Sequence, residues 1–404
     1  MALGLVALGF VASTANEGCI YDTSLLLPDA GPSAPAECAG DGGISATVPK
    51  PPLADDPSNL DLTVILAFQS IDVGVGVGPD GGLTTPDGGL IPPTDPQPHI
   101  GVNLDGKCTC CGDGPTCIEP PDAATNCDDS EGRDNTGIKL FRFLQASAQT
   151  GNQDVDQSMY NGLYGIVIQI TGYNGQPNDH SVTVAIYASN GVLGPDGGVP
   201  TLHHDGTDPW TVDPRYVQNG IEGTNCGAVS NPCTPNYYDP YAYVSCGVLV
   251  SQPTVVPFTF GGRAAFGGTV MKLQEPYIVG NLVQTTLPGN TLGWSIANGS
   301  VTGRWESADL LSNMASIPDP TQDGGVFLCG QDPLYGFLKP FICGLQDITS
   351  NSAKDNMSLS CNSISMAFGF TAAQAVLGVV APIPPTPAGC SMNGSPFSAN
   401  CDSP

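Results

Sequence analysis

Positive charge is scarce in this sequence: 11 Lys plus Arg stand against 38 Asp plus Glu in 404 residues, a formal net charge of −27. Phosphate backbones and anionic lipid surfaces repel such a chain, so nucleic acid is a poor partner, and membrane attachment would need a lipid on the N-terminal region. Charge of either sign is thin, 12% of residues where soluble proteins carry roughly 25%. Histidine is limited to four residues. Two of them are the neighbours His203 and His204, whose side chains would leave a strand on opposite faces and so would not share an ion. No G-x-S-x-G elbow, H-E-x-x-H helix or G-x-x-x-x-G-K-[ST] loop is present. That argues against the commonest serine hydrolases, zincins and P-loop enzymes. The apolar run at residues 2–12 (ALGLVALGFVA) is too short to span a bilayer as a helix.

What the chain does have is glycine, proline and cysteine. The 52 Gly and 38 Pro fit many turns joining short strands rather than wholesale disorder. Residues 1–18 read as an export signal that lacks its basic start: an apolar core is followed by Ser13 and Ala15 at the small-residue positions of a signal-peptidase site. Fifteen cysteines agree with export to an oxidising compartment: periplasm, outer-membrane surface or medium. Fifteen is odd. Lipidation of Cys19 would leave fourteen for pairing, whereas cleavage after Ala15 would leave Cys19 to pair with Cys38 and strand another thiol. Residues 19–60 (including LPDAGPSAPAEC and VPKPPLADDP) have the composition of a tether, too polar and Pro-rich to offset chain entropy by burial. Residues 61–380 are expected to form one large β domain, and residues 381–404 a Pro-rich, Cys-containing tail.

Within that domain, β-branched and aromatic runs bounded by Gly, Asn and Pro predict strands at Leu62–Phe68, Leu163–Thr171, Ser181–Tyr187, Ala242–Ser251, Tyr277–Leu287 and Ser300–Trp305. Asp-Gly-Gly units at 80–82, 87–89 and 196–198 are turn signals. Helical pattern is confined to Ile138–Ala148, Ser307–Ala315 and part of Ser358–Leu377. Many short strands and few helices predict a β-sandwich or jelly-roll of lectin type, with disulfide-stapled loops.

The stretches NLDG (103–106), GRDN (132–135), DGTDPWTVDP (205–214), TGRW (302–305) and CNSISMAFGFTA (361–372) together resemble a family of uncharacterised exported proteins and lipoproteins of Gram-negative bacteria. The resemblance covers most of residues 100–390. It implies export and one folded body, and it assigns no catalytic or binding residue. The chain departs from it in the inserted Asp-Gly-Gly turns and cysteine-rich loops, so no disulfide pairing is carried over.

Three groups of residues are candidates for chemistry. Cys108, Cys110, Cys111, Cys117 and Cys127 lack the paired two-residue spacings of a zinc site, so disulfides are expected there. Asp105, Asp128, Asp129 and Asp134, with Asn103, offer the hard oxygen ligands that calcium takes; against this stand solvated turns, or Asp134 capping a helix. Trp210, Tyr237 and Tyr238 lie among Pro, Asp and Asn, where exposed rings would stack on a sugar; against this stands ordinary packing. Two function classes follow. One is a non-catalytic surface or periplasmic module that binds an extracellular glycan or a surface protein. The other is a secreted glycan hydrolase working through paired carboxylates.

Overall fold

Val64, Leu66 and Phe68 alternate along strand β1 (Leu62–Asp72) and are buried on one side of it. That period of two places them in a common core with the alternate residues of every other long strand. The computed structural model describes residues 46–73, 76–77, 83–84, 100–121, 126–142, 152–193, 202–228, 233–260, 269–314, 328, 332–356, 358–382 and 399–401. The predicted signal segment, Cys19 and most of the C-terminal tail lie outside these residues.

After the two-residue ribbon β2 (Gly76–Val77) and β3 (Leu83–Thr84) come β4 (Gly165–Tyr173), β5 (Asp179–Ser189), β6 (Pro209–Val212), β7 (Tyr238–Ser245), β8 (Val248–Ser251) and β9 (Val255–Phe260). The long strands β10 (Thr269–Leu287) and β11 (Thr291–Glu306) follow, then β12 (Ser363–Gln374) and β13 (Val376–Val380). Sheet order is β11-β12-β1-β4-β5-β7-β8-β10, and β10 pairs again with β11. These eight strands therefore close into an antiparallel up-and-down barrel in which each neighbours the barrel strand before and after it in sequence. Strand β9 continues the line of β8 and pairs with the first part of β10.

The barrel overturns the expected sandwich or jelly-roll. Alternation along a strand says that one face is buried, and it is the same in a sandwich and in a barrel. Only the pairing of the last strand with the first distinguishes them: here Leu66–Asp72 of β1 pairs with Gly369–Gln374 of β12. Register shifts along β10 and β11 supply the curl. At Gly299 a Cβ would lie 2.4 Å from the Phe370 ring, so the missing side chain lets the two strands close over it.

Two further readings change. Ala242–Ser251 is not one strand but the hairpin β7–β8, with Cys246 (φ 53°) and Gly247 (φ 79°) as its two turn residues. Ser363–Gln374, read partly as helix, is a barrel strand buried along most of its length. The helix α1 (Asn152–Tyr160) carries no strong apolar period and escaped the reading; α2 (Ser307–Met314) matches it; α3 (Pro333–Gly344) starts on the Asp332 cap.

The lumen is filled. Phe68 stacks on Phe370 at 4.1 Å between centroids, Phe258 meets Phe368 edge-on at 5.5 Å, and Leu310, Leu311, Tyr335, Leu338 and Ile342 of α2 and α3 join the same core. Outside the wall, β6 and β13 form a parallel ribbon, and Trp210, Val212, Leu377 and Val380 pack with Ala67, Val167 and Ala185. Residues 46–60, read as the end of a tether, lie against the barrel. Ala46 accepts the Asn103 amide, Pro49 accepts the Tyr243 hydroxyl, and Asp56 takes the Asn178 amide at 2.9 Å.

Candidate functional site

The acidic residues come to rest on the outer face of β11 and β12, which is polar: Ser300, Thr302, Arg304, Ser363 and Ser365 are all buried there beneath loops 100–138 and 345–361. Disulfides fasten this layer. Cys117–Cys361 joins its two halves across 244 residues, and Cys108–Cys111 and Cys110–Cys127 close the first loop, so the cluster is stapled by disulfides, as expected, rather than by zinc. Cys226–Cys233 and Cys343–Cys401 add two more, and Cys246 is also disulfide-bonded.

Of the proposed calcium ligands, the fold brings three together. The Asp134 carboxylate accepts the Leu104 amide at 2.5 Å, Asp128 accepts the Thr109 amide at 2.6 Å, and Asp105 accepts the Thr116 hydroxyl at 2.8 Å. Asp347, missed in the sequence because it lies some 200 residues further on, joins them. Burial, then the neighbouring charges of Asp105, Asp128 and Asp347, pushes the Asp134 carboxyl well above the carboxylate range. Burial likewise pushes Asp128 up to about 7 and raises Asp347, despite the hydrogen bonds from Ser365. The Lys139 charge works against the rise at Asp347, and burial lowers the pKa of Lys139 itself.

The other two proposed ligands do different work. Burial disfavours ionised Asp129, but the Arg133 and Glu131 amides and the Arg133 guanidinium at 2.9 Å outweigh it and hold the carboxyl low. The oxygen of Asn103 accepts the Gly106 amide and its nitrogen donates to Lys107, shaping the loop. Asp134 does not cap the helical turn that begins at Ile138; it holds loop 100–104 instead.

A second site lies on the same strand at its far end. Ser365 and Gln374 are nine residues apart on β12, about 30 Å along an extended strand. There Gln69, Ala373, Gln374, Leu287, Trp210 and the loop Leu202–Asp208 line an open pocket of about 190 Å³ with Tyr160 at its edge. Asp208 builds the loop by accepting the His203 and His204 amides, each at 2.9 Å. His204, at φ 52°, thereby turns its ring onto Tyr160, stacked at 4.4 Å. Gly206 (φ 85°) sits where a Cβ would come within 2.9 Å of Leu287 and Gln374, so a side chain there would intrude on the pocket wall.

The three predicted aromatic ligands fare differently. Trp210 is only 2% exposed and backs the pocket as a packed wall, with Gly165 against its ring, so it offers no open face. Tyr237 packs edge-on against Tyr216 at 5.0 Å. Tyr238 is 47% exposed at the start of β7, away from the pocket lining. The exposed ring at the pocket is Tyr160, 51% exposed, which no sequence signal marked. His203 and His204 lie in a loop rather than on the strand expected for them: His203 leans on Asp208 while His204 faces the pocket.

No family model, no curated protein and no solved structure matches this chain.

Proposed function

We propose that the chain is an exported, non-catalytic binding module that holds a neutral glycan in the pocket beside β1 and β12. The supporting observation is the Tyr160–His204 ring pair standing next to the side-chain amides of Gln69 and Gln374. Rings take the apolar face of a pyranose and amides its hydroxyls. Among the described residues no Lys or Arg lines the pocket, which favours a neutral ligand over an anionic one. Hydrolysis of a glycan would need two carboxylates across the bond. Among the described lining residues Asp208 is the one carboxylate, and it shapes the loop by accepting two of its amides. Export is supported by disulfide bonding of eleven cysteines among the described residues.

The test is a glycan array probed with the wild-type protein and Tyr160→Ala. Hits on wild type that disappear in the variant, with no release of reducing ends from them, bear the reading out. Silence on the array, or hits indifferent to Tyr160, sinks it.

Calcium remains our proposal for Asp105, Asp128 and Asp134, on the ground that the fold gathers these carboxylates in one loop layer, where burial and the charges of its neighbours raise the pKa of Asp134. Its role there is structural, because the layer lies at the other end of β12 from the pocket.

A further inference from the structure

Asp55, in the segment leading into β1, and Asp179 and His180, at the start of β5, each offer a ligand atom within 4.8 Å of the other two. The group joins two stretches of chain separated by 125 residues. We propose that it is a binding site for a divalent transition-metal ion of the zinc class, which fastens residues 46–60 to the β4–β5 hairpin.

The parts suit that ion. An imidazole nitrogen beside two carboxylates selects zinc and its neighbours over calcium and magnesium, which prefer all-oxygen shells. Asp179 is prepared in advance: it is 4% exposed, and its oxygens accept the Asn174 amide at 2.7 Å and the Ser181 amide at 3.2 Å, which fix the carboxylate while leaving lone pairs for a metal. Both hydrogen bonds to Asp55, from the His180 amide at 2.7 Å and from Nδ1 at 2.5 Å, fall on Oδ1. Asp55 Oδ2 is therefore open to an ion. His180 and Asp55 are 57% and 43% exposed, so the ion enters from solvent and keeps a coordination position for water. The imidazole binds as the neutral tautomer protonated on Nε2, with the Nδ1 lone pair on the metal.

Without a metal, the same three groups form a hydrogen-bonded His–Asp pair beside a second carboxylate, and the backbone bonds from Asn178 and His180 hold the strap. In that pair the proton lies in the hydrogen bond that Nδ1 makes to Asp55 Oδ1, a contact that raises the His180 pKa. The metal and the proton thus compete for one place, and the experiment separates them.

The full chain is stripped with chelator and titrated with zinc at pH 8, following heat release, melting temperature and amide exchange of residues 46–60. One ion per chain, a higher melting temperature and slower exchange in 46–60 are expected, with loss of all three in His180→Ala and Asp55→Asn. Both substituted side chains are largely exposed, so the variants should fold, which circular dichroism checks. Cobalt(II) in place of zinc should give the intense visible bands of a four-coordinate site. Zinc effects of equal size in His180→Ala, or none in the wild type, would overturn the proposal, as would protection of 46–60 by calcium alone. The outcome is independent of the glycan reading, because none of the three residues lines the pocket.

Discussion

Ser365 presents both its amide and its hydroxyl to Asp347, at 2.8 and 2.5 Å, one to each carboxylate oxygen. Through this contact the buried acidic layer is attached to the barrel wall, since Ser365 belongs to β12 and pairs with Arg304 of β11. Disturbing the charge of the layer should therefore be felt in the stability of the barrel.

The first expectation is a pH dependence. Asp128 titrates near 7 in the folded protein against 3.8 unfolded, and Asp134 and Asp347 are shifted the same way. A carboxyl whose pKa rises on folding binds its proton more tightly in the folded state. Its stabilising contribution is whole at low pH and is lost as pH rises through the folded value. Between pH 5 and 8 the chelated protein should lose a few degrees of melting temperature, at roughly 2–4 °C per kcal/mol for a large domain. Asp129, held low, titrates below that window. Millimolar calcium should flatten the slope, magnesium should do less, and Asp105→Asn with Asp134→Asn should remove the calcium effect. Melting curves indifferent to pH, calcium and these substitutions would return the layer to hydrogen-bonded loop acids.

Arg304 is 1% exposed and reaches Asp355 with two nitrogens, at 2.9 and 2.6 Å, while donating to the carbonyls of Thr349 and Leu104. Arg304→Ala strands the buried Asp355 charge and should cost about 3–5 kcal/mol. The double variant Arg304→Met, Asp355→Leu removes both charges and should recover a large part of that loss. Urea denaturation measures both.

Cys117–Cys361 encloses 244 residues. The loop-entropy argument assigns such a bridge about 5 kcal/mol. Cys117→Ser with Cys361→Ser should destabilise the protein more than Cys226→Ser with Cys233→Ser, whose separation is 7. Equal losses would mean that the denatured chain is already compact.

Trp210 and Tyr160 should separate packing from binding. Trp210→Ala empties a buried wall and should cost about 3–5 kcal/mol, whereas Tyr160→Ala, at an exposed edge, should leave stability within about 0.5 kcal/mol. Calorimetric melting beside the glycan array reads the two effects.

Most strands were legible because alternation registers directly which side of a strand is dry, as in Val64, Leu66 and Phe68. Closure was not legible: nothing local in Gly369–Gln374 names Leu66–Asp72 as its partner. The acidic layer was half legible. Asp105, Asp128 and Asp134 are close in sequence, whereas Asp347 joins them only because both loops fold onto Ser365 of β12. Ring identity misled at the pocket, because Trp210 and Tyr160 are both aromatic and only packing decides which one has a free face. Tyr160 ends a helix whose apolar residues are sparse, and no pattern there announced it.

The meander topology has a kinetic consequence. Seven of the eight barrel pairings join barrel strands that follow one another in order, and three of them, β4–β5, β7–β8 and β10–β11, are hairpins with short connections that can form as the polypeptide arrives, at little cost in loop entropy. The eighth, β1 with β12, waits for almost the whole chain. Until residue 374 is delivered, β1 keeps one bare edge, a template for pairing with other chains. A protein that crosses a membrane unfolded, first strand first, would hold that edge open for the length of its own translocation, and truncation anywhere before β12 would leave it open for good.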